Sequence, residues 1–358
     1  MSDAAMSTPD ATAKVPSALA EVEIGRDIGR GATSVVRLAT HQLKVLSGLE
    51  QSESTSKNYY AIKVVEKAKI VGEKQLQRLF REKELLGSLK HPSIVGFHAT
   101  FKDEAHLYFL LELLPGGELL WHMRRERQCR VAPATTKLTL AALLLPLNYM
   151  QEQGVLYRDL KPTNIAFAGN GQLKLLDFGH AKRIEGGNAA LLLSSDAQGA
   201  ERSTSVCGTP HYHAPEMVRG EGHGLPAQIW ALGVLLVEML NGRAPFWAQG
   251  AGGVALNDQI LAANPDLSML PDDARSLASA LLLASADERS AAFGNKGYAG
   301  VMAHAWFEGI DWAAIEAGKL VPSFDFSAHC NELFPDGKDE EKSAEADLDE
   351  VNKAFADF

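Results

Sequence analysis

The sequence predicts an α+β chain in which a small strand-rich part precedes a larger helical part, and three observations carry that prediction. Short β-type runs at residues 35–38, 59–65 and 107–111 crowd the first third around one helical pattern at 75–89, where Leu76, Leu79, Phe80, Lys83 and Leu86 recur at helical spacing. Beyond Pro115-Gly116-Gly117 the pattern turns helical, over residues 118–126, 134–153, 227–240 and 271–283. Two short strands around 165–176 interrupt that helical part. No internal repeat is visible.

A chain of 358 residues with 46% hydrophobic and 22% charged content has the composition of a globular protein with a substantial core. Its three cysteines, Cys129, Cys207 and Cys330, lie far apart and form no C-x-x-C pair, so neither a zinc site nor a disulfide framework is suggested and a reducing compartment fits best. The most apolar stretch, residues 138–147, is too short for a bilayer and carries Pro146. The N-terminus has no signal-like pattern and no Met-Gly for myristoylation, so no membrane partner is expected. The net charge of −10 is uneven, because residues 334–358 hold nine acids against three lysines and so account for −6 of it. An acidic chain argues against nucleic acid as a partner, since that binding rests on Lys and Arg neutralising phosphates.

Residues 1–20 are rich in Ala, Ser, Thr and Pro and read as a flexible leader, because they bury too little to offset ordering entropy. Two polar segments, 44–58 between two early strands and 185–202, read as insertions. The acidic end, with Phe355 and Phe358, reads as an extended tail.

The candidate chemistry is phosphate handling. Gly29-Arg30-Gly31-Ala32-Thr33-Ser34 is a G-x-G-x-x-S run between Ile28 and Val35-Val36, and glycines let backbone amides approach phosphate oxygens with no Cβ in the way. A hairpin turn alone would read the same way, but strand on both sides disfavours a dinucleotide-binding turn, which leads into a helix. Ala61-Ile62-Lys63 then puts a lysine in an apolar strand, where it needs an anion, and Glu82 on the helical pattern is the available carboxylate. Such a pair would hold the ammonium against two phosphates.

Tyr157-Arg158-Asp159-Leu160-Lys161-Pro162-Thr163-Asn164 sets a carboxylate, an ammonium and a carboxamide on one loop at spacings of two and three. Asp159 would orient the attacking hydroxyl, Lys161 would neutralise charge on the moving phosphoryl group, and Asn164 would ligate Mg2+. Asp177-Phe178-Gly179 follows, with Asp177 as the second metal ligand. Ala214-Pro215-Glu216 closes the series, and Arg289 is the expected buried partner of Glu216 in a stabilising ion pair. Each signal alone is weak, and their order is what one mechanism demands.

On these motifs the chain resembles the eukaryotic protein kinase family, in its AGC group, and most closely the catalytic region of cAMP- and cGMP-dependent kinases. The group-level residues are Tyr157-Arg158-Asp159, Leu113-Leu114-Pro115-Gly116-Gly117-Glu118-Leu119, Val206-Cys207-Gly208-Thr209-Pro210 and His304-Ala305-Trp306-Phe307. The resemblance implies the two-lobed kinase fold. It divides the chain into a leader at 1–20, a kinase domain at 21–307 (small lobe 21–111, hinge 112–115, large lobe 116–307) and an AGC tail at 308–358. ATP and Mg2+ are the implied cofactors. The implied nucleotide contacts are Ile28, Gly29, Gly31, Ser34, Val36, Ala61, Lys63, Glu82, Leu111, Glu112, Leu114, Glu118 and Ala166.

The implied activity is transfer of the γ-phosphoryl group to serine or threonine of proteins, Thr209 with Lys161 favouring these over tyrosine. Ser205 matches the activation-loop phosphosite, with Arg78, Arg158 and Lys182 at the positions of its cationic cradle. Glu118 and Glu238 match positions that read basic residues upstream of the acceptor, whereas Thr163 stands where a glutamate is usual, which predicts weaker discrimination at the −2 position. The terminal Phe355-Ala356-Asp357-Phe358 matches a motif that docks on the small lobe. A regulatory subunit and an upstream activating kinase are implied partners, and the cytoplasm, with the nucleus as an alternative, is the implied location. Gln228 replaces an aspartate that anchors the catalytic loop, and Pro146 stands within the helical pattern 134–153, which it is expected to kink. With Ser34, they motivate the alternative of a nucleotide-binding pseudokinase or scaffold. A small-molecule phosphotransferase is disfavoured by the long segment before Ala214-Pro215-Glu216.

Overall fold

The computed structural model describes residues 15–31, 34–46, 53–184, 208–247 and 253–333. They fall into two compact units. Of the described residues, the first comprises those up to 88, 95–115 and 330–333, and the second those of 89–94 and 116–329. As expected, the first unit is built on a β-sheet and the second is mainly helical.

The first unit holds an antiparallel sheet of β1 (Glu23–Arg30), β2 (Ser34–Leu46), β3 (Glu53–Glu66), β4 (Phe97–Lys102) and β5 (His106–Glu112), in the order β1-β2-β3-β5-β4. Strand side chains alternate between faces, and here both faces are apolar. One face gathers Val22, Ala39, Tyr60, Ile62, Tyr108 and Leu110, with Leu19 packed against them. The other gathers Ala61, Leu113 and Leu333 with Ile28, Val36, Leu38, Tyr59 and Leu111. Lys63 follows Ala61 by two residues and so shares the second face. Leu19 belongs to the stretch read as a leader, yet it joins this core through a short 3-10 turn at Leu19–Glu21.

One expectation shifts in this unit. The described residues of the segment 44–58, which are 44–46 and 53–58, are strand: β2 and β3 stay paired from Ser34↔Val65 out to Leu46↔Glu53. The helical pattern forms α1 (Glu73–Ser88), which buries Glu82, Leu85 and Leu86. Its first turn is closed by Gln75, whose side chain accepts from Val71 N–H at 2.8 Å.

In the second unit β6 (Gly117–Glu118) leads into α2 (Leu119–Arg125) and α3 (Pro133–Glu152) and forms a small sheet with β8 (Ile165–Phe167) and β9 (Leu173–Leu175), and β7 (Val155–Leu156) pairs with β10 (Lys182–Arg183). Helix α3 runs on through the buried Pro146, although a proline there supplies no N–H to the preceding turn. Then follow α4 (Pro215–Val218), α5 (Leu225–Asn241), α6 (Gly253–Ala262), α7 (Asp272–Leu281), α8 (Ala286–Ala292), α9 (Tyr298–Met302), α10 (Trp312–Glu316) and α11 (Phe326–Leu333), of which residues 330–333 belong to the first unit.

Helix α5 is apolar except at Gln228, Glu238 and Asn241 and is buried along nearly its whole length, as the central helix of a core must be. It stops at Gly242, whose φ of +76° and approach to Gln128 O, 2.1 Å from where a Cβ would sit, admit only glycine. No helix among the described residues is long and apolar enough to cross a membrane.

Candidate active site

The ammonium of Lys63 and the carboxylate of Glu82 meet at 2.6 Å, with the side chains 14% and 4% exposed. The pair exists because β3 turns Lys63 to the face it shares with Ala61, while α1 turns Glu82 inward with Leu85 and Leu86. The ring of Phe109, the cross-strand partner of Lys63, lies 5.7 Å from the ammonium. Burial makes each charge depend on the other. On the same face Ile28, Val36, Ala61 and Leu111 form an apolar patch with Leu113 and Leu333.

Beside that patch the turn between β1 and β2 closes with Gly31 N–H donating to Ser34 O at 2.8 Å. Ala32 and Thr33 lie outside the described residues. Glu112 is occupied differently from the other implied nucleotide contacts: its carboxylate accepts from Gly96 N–H at 2.9 Å, and its own N–H donates to Gly96 O at 2.8 Å.

In the second unit the loop after β7 gathers three candidates on one oxygen. Asp159 Oδ2 receives Lys161 Nζ at 2.7 Å and Asn164 Nδ2 at 2.9 Å, and the same Nδ2 also donates to Asp159 O at 2.8 Å. Asp159 is 2% exposed, so its orientation is set by these contacts and not by solvent. With its amide nitrogen so engaged, Asn164 turns its oxygen away as an acceptor, the donor type that Mg2+ prefers.

Asn164 O accepts from Leu176 N–H at 2.9 Å, which ties the loop to the residue before Asp177. Asp177 is exposed, sits at φ +44° and accepts from Gly179 N–H at 3.0 Å. Phe178 is fully buried edge-on to the ring of Tyr157, whose hydroxyl donates to Leu176 O. The donor set of an amide oxygen and a carboxylate suits a hard cation that keeps other oxygen ligands. The glycine turn and the apolar patch suit the two ends of a nucleotide.

Gln228 on α5 reaches the same loop. Its Oε1 accepts from Tyr157 N–H at 2.7 Å and from Arg158 N–H at 3.1 Å. Arg158 stands at φ +68° and sends its Nε to His180 O at 2.7 Å. Lys182 lies on β10, and Arg78 is exposed on α1. Ser205 and the terminal Phe355 and Phe358 lie outside the described residues.

Glu216 and Arg289 form the expected ion pair, bidentate at 2.9 and 3.1 Å, with Arg289 fully buried and also donating to Pro226 O and Leu283 O. Burial pushes the Glu216 carboxyl above its usual range against the pull of Arg289.

Glu118 is exposed beside Gly117 in β6, and Ala166 pairs with it across β8. Leu114 and Thr209 are half-buried. Glu238 is bound by the hydroxyl of Tyr212, and burial raises its carboxyl above the usual range. Three of these neighbours have no counterpart in the motifs. Tyr212 lies within the Pro210–Tyr212 turn, and Leu333, together with Arg26, which donates to Leu333 O, joins β1 to the start of the tail. Only the aromatic beside Pro210 offered a local signal.

Among known proteins, the model of the protein kinase domain matches residues 22–307. A cAMP-dependent protein kinase catalytic subunit of Dictyostelium discoideum is 36% identical over 269 residues, which cover 74% of this chain and 38% of that protein. Protein kinase 2 of the same organism is 35% identical, over 74% of this chain and 51% of its own length. The human cAMP-dependent protein kinase catalytic subunit PRKX is 34% identical over 75% of this chain and 70% of its own. The chain thus spans about half or less of the two Dictyostelium relatives.

Proposed function

Because the chain belongs to the protein kinase family, in the AGC group of the cAMP-dependent kinase catalytic subunits, we propose that it transfers the γ-phosphoryl group of Mg·ATP to serine or threonine hydroxyls of proteins. The observation that carries the reading is the convergence of Lys161 and Asn164 on Asp159 Oδ2, with Asp177 tied in through Leu176.

Bound Mg2+ supplies charge neutralisation on the phosphates, and Asn164 and Asp177 are the residues that would hold it. Lys63, fixed by Glu82, grips phosphate oxygens without rotameric search. The glycine turn offers backbone N–H groups, and the patch of Ile28, Val36, Ala61, Leu111 and Leu333 takes the base. Asp159 orients the acceptor hydroxyl and takes its proton, while Lys161 stabilises the charge that develops on the transferred group. Gln228 holds the loop backbone that presents both.

Substrates carry basic residues upstream of the acceptor, read by Glu118 and Glu238, with the −3 position weighing more than −2 because Thr163 offers no carboxylate. Ser205 is phosphorylated by an upstream kinase and is held by Arg158, Lys182 and Arg78. A regulatory subunit is a further partner, and the chain works in the cytoplasm or nucleus. The deciding experiment is phosphate transfer by the purified chain to a degenerate peptide library, with wild type, Asp159→Asn and Ser205→Ala compared. Transfer that survives Asp159→Asn refutes the assignment, and equal demand for arginine at −2 and −3 refutes the proposed specificity.

A further inference from the structure

Among the described residues, three buried polar atoms of side chains that line one small cavity find no hydrogen-bond partner: Gln228 Nε2, His223 Nε2 and Asp159 Oδ1. The side chains are 6%, 3% and 2% exposed, so bulk solvent does not serve them. The cavity has a volume of about 30 Å³ and is walled by the catalytic loop at Asp159 and Leu160, by Gly208 and by Ala227 and Ala231 of α5. That volume accommodates a water molecule, which needs two to four polar partners to be held.

The donors and acceptors select the occupant. Gln228 has already committed its oxygen to Tyr157 and Arg158, so its nitrogen can only donate. His223 is neutral, because burial first, and Arg158, His213 and Lys182 after it, depress its pKa to about 4. Its Nε2 therefore accepts when the proton sits on Nδ1. Asp159 Oδ1 accepts, its other oxygen being held by Lys161 and Asn164. One donor facing two acceptors is the complement of a water molecule, which accepts once and donates twice. An anion would meet two acceptors, and a metal cation would meet the amide N–H.

We propose that one ordered water bridges Gln228 Nε2, His223 Nε2 and Asp159 Oδ1, which makes His223 a positioning residue for Asp159. The proposal rests on the phosphoryl-transfer reading for its kinetic consequence only. The water holds Oδ1 as Lys161 and Asn164 hold Oδ2, so the carboxylate plane is fixed on both sides. Gly208 leaves the room for this: with φ +90°, a Cβ there would stand 3.3 Å from Oδ1 and 3.0 Å from Arg158 O.

The test combines a high-resolution crystal structure of the full chain with steady-state kinetics of His223→Leu and His223→Gln, using Mg·ATP and a peptide substrate. The structure is expected to show a density peak within hydrogen-bond distance of all three atoms. His223→Leu is expected to lower kcat about tenfold with both KM values unchanged, and His223→Gln, which restores an acceptor near the Nε2 position, to recover most of the loss. A cavity without that peak in the wild-type crystal overturns the proposal whether or not the variants fold. So does a kcat for His223→Leu equal to wild type, or a His223→Gln variant as impaired as His223→Leu. A chain that transfers no phosphate refutes the kinase reading instead, while the density still decides the water.

Discussion

Gln228 Oε1 accepts hydrogen bonds from the backbone N–H groups of both Tyr157 and Arg158, at 2.7 and 3.1 Å. The second of those residues has φ +68°, a conformation that costs a non-glycine residue on the order of 1–3 kcal/mol unless the surroundings enforce it. A neutral amide thus performs the anchoring that the kinase pattern assigns to a carboxylate, because the task needs an acceptor with two lone pairs and a carbonyl oxygen has them. The departure at this position does not argue for a catalytically silent chain.

Gln228→Leu should therefore be severe, since it strands two buried N–H donors at roughly 1–3 kcal/mol each and frees the Arg158 backbone to relax. Loss of about 2–6 kcal/mol in urea denaturation, with kcat lowered at least tenfold, is the expected result. Gln228→Asp keeps the acceptor for the two backbone N–H groups but removes the Nε2 donor, so it should regain most of the stability lost in Gln228→Leu while its kcat stays below wild type. A Gln228→Leu chain as stable and active as wild type would show that the two bonds anchor nothing.

Lys63 and Glu82 make a separable prediction. Lys63→Met leaves Glu82 buried without its cation, and breaking such a pair costs about 3–5 kcal/mol where burial is complete, less at the 14% exposure of Lys63. The double variant Lys63→Met/Glu82→Leu should regain most of the stability, because neither charge is left alone. It should not regain nucleotide affinity, measured by titration calorimetry, because the ammonium is what meets phosphate. Recovery of both together would assign Lys63 a purely structural role.

Arg289 offers the opposite case, a buried ion pair that includes none of the residues assigned to phosphoryl transfer. Arg289→Ala removes a bidentate partner from Glu216 and two donors from Pro226 O and Leu283 O, so thermal denaturation should report a loss of about 3–5 kcal/mol. Arg289→Lys should rescue little, since an ammonium cannot reproduce the planar fork. Turnover per folded molecule, measured well below the melting temperature, should remain near wild type for both.

What could be read from the chain and what could not follow from how far apart the partners lie. The catalytic loop was legible because Asp159, Lys161 and Asn164 are within six residues of one another, and Lys63 announced its need for Glu82 by being a charge in an apolar strand. Leu333 was not legible: its place against Ala61 and Leu113 is a contact across more than two hundred residues, and one leucine in an acidic tail has no periodicity to betray it. Tyr212 was passed over for a different reason, since its value lies in the hydroxyl that reaches Glu238 on α5. The hairpin extension was not legible because residues 53–58 are polar, and the alternation Gln42, Leu43, Lys44, Val45 is too short to mark a strand by itself.

His223 also sets an acid limit on stability. Its pKa is about 4 in the folded chain against an ordinary 6.5, chiefly through burial, so below 6.5 the unfolded chain takes up a proton that the folded chain refuses. Stability from this group is complete above about pH 6.5 and is lost as pH falls toward 4, a displacement worth about 3 kcal/mol in total. Burial lowers His91 and His122 in the same direction, whereas the raised carboxyls of Glu216 and Glu238 act with the opposite sign, gaining stability as pH falls. The contribution of His223 is therefore isolated only by comparison with His223→Gln. Urea denaturation of both proteins between pH 8 and pH 4.5 (about four values at constant ionic strength) should give a stability difference that is flat above about pH 7 and moves against wild type below it. Parallel curves across that range would mean that His223 is not held neutral by its surroundings.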